Sequence, residues 1–158
     1  MSHPVKIDVT INGQRVERTL EPRTTLAEFL RNDLGMFGTK ISCEMQVCGV
    51  CTVLIDGAPV SSCTTLAADA DGREVRTIEG LAQSGELHPL QQAFIDEFAL
   101  QCGYCTPGFI MMAVALLEEN PAPTRDEVVH HLEGNICRCT GYRPIIDAVL
   151  KAAERGPN

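Results

Sequence analysis

At 158 residues, with 44% hydrophobic and 22% charged side chains, the chain has the composition of a folded globular protein and not of a disordered one. A formal charge of -8 and a pI near 4.9, with Lys and Arg scattered singly, exclude the clustered basic surface that nucleic acid requires. No apolar run reaches a membrane span, and the opening stretch MSHPVKIDVT has no export signal, so a soluble, cytoplasmic protein is expected.

Val5, Ile7, Val9 and Ile11 alternate with polar residues, and Asn12-Gly13 follows them, which predicts two strands joined by a tight hairpin turn. Thr25 with Glu28 three residues later forms a capping box and starts a short helix burying Leu26, Phe29 and Leu30, stopped by Gly35. CTVLIDGAPVSSC reads as strand, Asp56-Gly57 turn and strand, and REVRTIEG as one strand more. Hairpin, helix, then further strands is the order of a β-grasp roll.

From His88 the period turns helical, with Leu90, Ala93, Phe94 and Phe98 on one face. Thr106 as a cap before Pro107 opens the apolar helix GFIMMAVALLEEN. There Phe109, Ile110, Met111 and Met112 read as core. Thr124 with Glu127 is another capping box and starts a helix through Val128, Val129 and Leu132 to Gly134. A fourth helix begins near Arg143 and buries Ile145, Ile146, Val149 and Ala152. His130 and His131 read as solvated. The expected division is residues 1–80 and 85–158, with Gly, Ser and Pro gathering in Glu79 to Pro89. Units this small often need a metal or another staple.

Eight cysteines in a chain of this length without an export signal point to metal or redox chemistry in preference to disulfides. Cys43, Cys48 and Cys51 are spaced C-x4-C-x2-C, and Cys63 follows, the spacing of plant-type [2Fe-2S] ferredoxins. A zinc knuckle, the competing reading, usually has two C-x2-C pairs. The second group, Cys102 and Cys105 in LQCGYCTPGF with Cys137 and Cys139 in NICRCTGYRP, is compatible by spacing with zinc or with a cluster. Each of its pairs precedes a helix start, where backbone N–H groups can face an anionic site. Tyr104 and Tyr142 flank this group and are expected to shield it. No phosphate loop, nucleotide fingerprint or catalytic triad is visible, which suits an electron relay without substrate chemistry of its own.

Together GTKISCEMQVCGVCTVLIDG, QCGYCTPGF and NICRCTGYRPI resemble the iron-sulfur small subunits of the molybdenum hydroxylase, or xanthine oxidase, family over essentially the whole chain. The resemblance implies an α+β protein: an N-terminal β-grasp ferredoxin-like domain with one [2Fe-2S] cluster on Cys43, Cys48, Cys51 and Cys63, then a C-terminal four-helix-bundle domain with another on Cys102, Cys105, Cys137 and Cys139. It implies a large partner subunit binding molybdopterin, often as the cytosine dinucleotide, and a medium partner binding FAD, an assembly that in the family also forms a dimer of heterotrimers. Electrons would run from molybdenum through the helical-domain cluster and the ferredoxin-like cluster to FAD. Gln101 and Cys139 would lie nearest the pterin. Carbon monoxide oxidation, aromatic acyl-CoA reduction and a free-standing two-cluster ferredoxin are the alternatives. One departure stands out: where the family commonly has Gly-x-Gly-x after the first ligand, this chain has Glu44 to Val47, and Ser42 replaces a frequent Gly. Bulkier side chains there are expected to alter the exposure and the potential of that cluster.

Overall fold

Asn12 and Gly13 both take positive φ, 49° and 78°, the left-handed pair that matches the twist of a tight hairpin. They join β1 (Val5–Ile11) to β2 (Gln14–Leu20) in antiparallel register, with Val9 opposite Val16. The computed structural model describes residues 3–82 and 84–156; Gln83, in the predicted connection, lies outside the described residues. A second hairpin joins β3 (Thr52–Ile55) to β4 (Ala58–Ser61), and β5 (Glu74–Arg76) runs parallel to β1 and antiparallel to β3. The sheet order is β2-β1-β5-β3-β4.

The Thr25 capping box forms as expected, but α1 (Leu26–Glu28) is a single turn that widens into a π-type turn over Phe29–Asp33. Leu26, Phe29 and Leu30 are fully buried on one sheet face against Ile7, Val9, Ile11, Val53, Ile55 and Val75. All four residues of β3 are buried, because the strand is covered on both faces. Leu54 points away from α1 and joins the helical core.

Four helices follow: α2 (Pro89–Asp96), α3 (Thr106–Glu119), α4 (Arg125–His131) and α5 (Arg143–Arg155). The apolar α3 packs on β3, β4, α2, α4 and α5, so a helix hydrophobic nearly all round is the expected central element. Met111 and Phe109 are buried in it, and each such side chain contributes roughly 1.5–3 kcal/mol by leaving water. Arg76 on β5 clasps Glu118 of α3 through two hydrogen bonds of 2.7 and 2.6 Å. No described helix is long and apolar enough to cross a membrane.

Four local expectations fail. Phe98 is not on the buried face of α2: the N–H of Phe98 reaches the Ile95 carbonyl and that of Ala99 the Phe94 carbonyl, a Schellman ending that puts Phe98 in left-handed backbone (φ 52°) and leaves it 83% exposed. Thr106 is not a cap but the first residue inside α3, with Cys105 at the cap position and no side-chain capping bond. Val129 is exposed, since α4 offers only Val128 and the following Leu132 to the core. His130 is solvated as expected, whereas the Nε2 of half-buried His131 is sealed from solvent.

Candidate iron-sulfur centres

None of the eight cysteines forms a disulfide, and their sulfurs meet in pairs, two pairs in each half of the chain. In the first, left-handed backbone at Glu44 (φ 55°) and Gln46 (φ 60°) winds the loop so that the N–H groups of Val47 and Cys48 each donate to the Cys43 sulfur at 3.4 Å. Such a concave row of N–H groups favours an anion. The N–H of Met45 leads the same effect, and together these donors bring the Cys43 thiol down to about 6. Cys51, at the start of β3, is buried beside Cys63, just beyond β4, and burial pushes it up to about 11. The Ser62 hydroxyl donates to the Cys51 carbonyl at 2.6 Å and ties these two positions together. Cys43 touches Cys48, and Cys51 touches Cys63.

In the second group, Cys102 and Cys105 lead into α3 while Cys137 and Cys139 lead into α5. The sulfurs of Cys102 and Cys139 lie 3.6 Å apart at the surface, and their contact raises the Cys139 thiol. Cys105 contacts Cys137 further in, and burial pushes Cys105 up to about 12. Burial also opposes a thiolate at Cys137, but the Thr140 hydroxyl (3.1 Å) and N–H (3.4 Å) donate to its sulfur and outweigh it, lowering its pKa. Gln101 is exposed next to Cys102, at the end of the group where Cys139 is also exposed.

The pattern of contacts tests which metal these donors suit. A single zinc draws four ligands to one point. The sulfurs instead form pairs, two to each group, which is the donor arrangement of a bridged two-iron core with two thiolates per iron. The residues therefore fit [2Fe-2S] centres.

The two loops are also clamped to one another. The Ile136 N–H donates to the Cys48 carbonyl at 2.9 Å, the Asn135 amide to the Gly49 carbonyl at 3.0 Å, and the Tyr104 hydroxyl to the Ile41 carbonyl at 2.5 Å. Gly108 allows this approach: a Cβ there would stand 2.3 Å from the Gly49 carbonyl oxygen. Asn135 and Gly108 carry no signal by type or spacing in the sequence, although a glycine early in an apolar helix is a hint of close packing. Tyr104, expected only to shield, is a bridge. Apolar side chains stay exposed on the segments next to each group: Phe37, Met45 and Val47 about Cys43 in the chain, and Ile95, Phe98 and Leu100 ahead of Cys102.

The chain is similar to known proteins. Residues 9–82 match the 2Fe-2S iron-sulfur cluster binding domain and residues 77–150 the [2Fe-2S] binding domain. The chain is 56% identical to the nicotine 6-hydroxylase small subunit of Paenarthrobacter nicotinovorans, over 96% of this chain and 91% of that protein. It is 45% identical to the xanthine dehydrogenase iron-sulfur-binding subunit of Escherichia coli O157:H7, covering 94% of both. In the crystal structure of quinoline 2-oxidoreductase from Pseudomonas putida 86, a chain 52% identical superposes with a TM-score of 0.93, covering 97% of this chain and 96% of that one. This is an α+β protein of ferredoxin type with iron-sulfur binding in both halves, and the chain belongs to the iron-sulfur small subunits of the molybdenum hydroxylase, or xanthine oxidase, family.

Proposed function

We propose that this chain is the electron-relay subunit of a heteromeric molybdenum hydroxylase, with Cys43, Cys48, Cys51 and Cys63 holding one [2Fe-2S] cluster and Cys102, Cys105, Cys137 and Cys139 the other. The two clusters, when bound, take up and release single electrons between a molybdopterin in a large subunit, as the cytosine dinucleotide, and FAD in a medium subunit. The observation that carries this reading is the paired geometry of the thiols in two groups joined by the Ile136 to Cys48 hydrogen bond. Within each group one pair would hold each iron: Cys43 with Cys48 and Cys51 with Cys63, then Cys102 with Cys139 and Cys105 with Cys137.

The chain's own residues have distinct tasks. The loop N–H groups at Met45, Val47 and Cys48 stabilise the thiolate of Cys43, and Thr140 stabilises that of Cys137. Residues 1–80 act as the β-grasp domain and 85–158 as a four-helix bundle, divided where the sheet core gives way to the helical core. Gln101 and Cys139, both exposed, are the proposed contact with the pterin, and the exposed apolar side chains on the segments next to the two groups are the proposed faces for the large and medium subunits. Similarity to subunits of nicotine and quinoline enzymes supports an N-heteroaromatic substrate for the complex, hydroxylated with oxygen from water.

The test is spectroscopic. Anaerobically reduced protein is expected to show two distinct paramagnetic species, with iron and inorganic sulfide in equal amounts. Cys43→Ser is expected to abolish one species and Cys137→Ser the other. Zinc in place of iron, or one species only, overturns the reading; a brown chain that purifies alone and binds no partner makes it a free ferredoxin.

A further inference from the structure

The hydroxyl of Thr106 is sealed from solvent and has no hydrogen-bond partner among the described residues. Buried hydroxyls are almost always paired, because leaving one unpaired sacrifices its hydration without return. A threonine inside a helix ordinarily satisfies itself on the carbonyl one turn back, but among the described residues no carbonyl accepts from the Thr106 hydroxyl, although its backbone N–H reaches the Gly103 carbonyl at 3.3 Å.

The position of this hydroxyl narrows its partner. Thr106 directly follows Cys105, as Thr140 directly follows Cys139, so the helical half carries two Cys-Thr steps, one in each thiol loop. In the second step the hydroxyl already has its partner: Thr140 donates to the Cys137 sulfur at 3.1 Å. In the first, no sulfur of the chain accepts from Thr106. What a [2Fe-2S] centre adds to the four thiolates is two inorganic sulfides, which are acceptors only and lie between the irons.

We propose that the Thr106 hydroxyl donates a hydrogen bond to a sulfide of the cluster held by Cys102, Cys105, Cys137 and Cys139, and raises the reduction potential of that cluster. The inference rests on the ligand assignment above. A donor to a cluster sulfur stabilises the reduced form more, since that form carries one more negative charge, and hydrogen bonding to the sulfurs is one of the factors that set such potentials. Thr106 is thus a positioning residue for the electron, favouring its arrival on the helical-domain cluster.

The holoprotein distinguishes this from a structural role. Thr106→Val keeps the branched shape and removes only the donor; Thr106→Ser keeps the donor. In a redox titration followed by electron paramagnetic resonance, Thr106→Val is expected to shift the oxidised-to-reduced ratio of the helical-domain cluster roughly tenfold towards oxidised at fixed potential, a fall of about 59 mV for a one-electron couple. The ferredoxin-like cluster is expected to keep its midpoint, and Thr106→Ser to restore the other. An unchanged midpoint in Thr106→Val, with a raised melting temperature from removal of a truly orphaned hydroxyl, overturns the proposal. A wild-type protein lacking the second paramagnetic species overturns the ligand assignment instead, so the two failures are told apart.

Discussion

Glu44 and Gln46 occupy left-handed backbone, a region that favours glycine. The loop therefore holds its path at a strain of roughly 1–2 kcal/mol per residue, and what it keeps is the row of N–H donors on Cys43. Gln46 partly offsets its strain by accepting from the Thr64 hydroxyl at 3.2 Å. Gln46→Gly removes the side chain that overlies the loop and is expected to shift the midpoint of the ferredoxin-like cluster while leaving the helical-domain cluster unchanged; an identical midpoint in a redox titration contradicts this. The cysteines were legible because ligand spacing is local. The donors on Cys43 were not, since a left-handed turn without glycine leaves no compositional mark.

Elements ended as often as they began by rules readable in sequence, and the exceptions are informative. Both threonine capping boxes, at Thr25 and Thr124, formed as expected. The cap of α2 is His88, whose Nδ1 accepts from the Leu90 N–H at 3.2 Å and whose N–H donates to the Gln91 side chain at 3.0 Å. Burial lowers the His88 pKa below 6.5, with Glu118 pulling it up and Arg76 pushing it down. The unfolded chain therefore takes up this proton first: the contribution of His88 is complete above pH 6.5 and declines as pH falls from there through the folded pKa. His88→Asn, which retains a cap acceptor, is expected to flatten this part of the melting-temperature profile on the acid side of neutrality. The other end of α2 places Phe98 where glycine is preferred. Phe98→Gly is expected to stabilise the isolated chain by about 1 kcal/mol, seen in thermal denaturation, and to weaken association with partner subunits in pull-down, because an exposed aromatic is lost beside the Cys102 loop.

Across the whole molecule, α3 carries one part of the contact between the two halves. Its N-terminal turn touches the first cysteine loop through Gly108, its middle receives Leu54 from the sheet, and its last turns hold Arg76 through Glu118. Gly108→Ala would drive a methyl group into backbone atoms, the Gly49 oxygen at 2.3 Å and the Val50 Cα at 2.9 Å, neither of which can swing away. The expected cost is about 1–3 kcal/mol, measurable as a lowered melting temperature, together with broadened resonance of the ferredoxin-like cluster. An unaltered melt would mean that the halves are not held at this point.

Strand alternation, capping boxes, turn pairs and ligand spacing are properties of neighbours along the chain, and the sequence by itself determined them: the two hairpins, the helices and the eight thiols in two groups. Distances between segments far apart in sequence were decided only by tertiary structure. That covers which thiols pair, the bond from Ile136 to Cys48, the sealing of the Thr106 hydroxyl and the reversal of Phe98 to the surface. The physical reason is that a periodic pattern specifies which side of an element is apolar, whereas the partner that covers that side is selected by packing the whole chain at once.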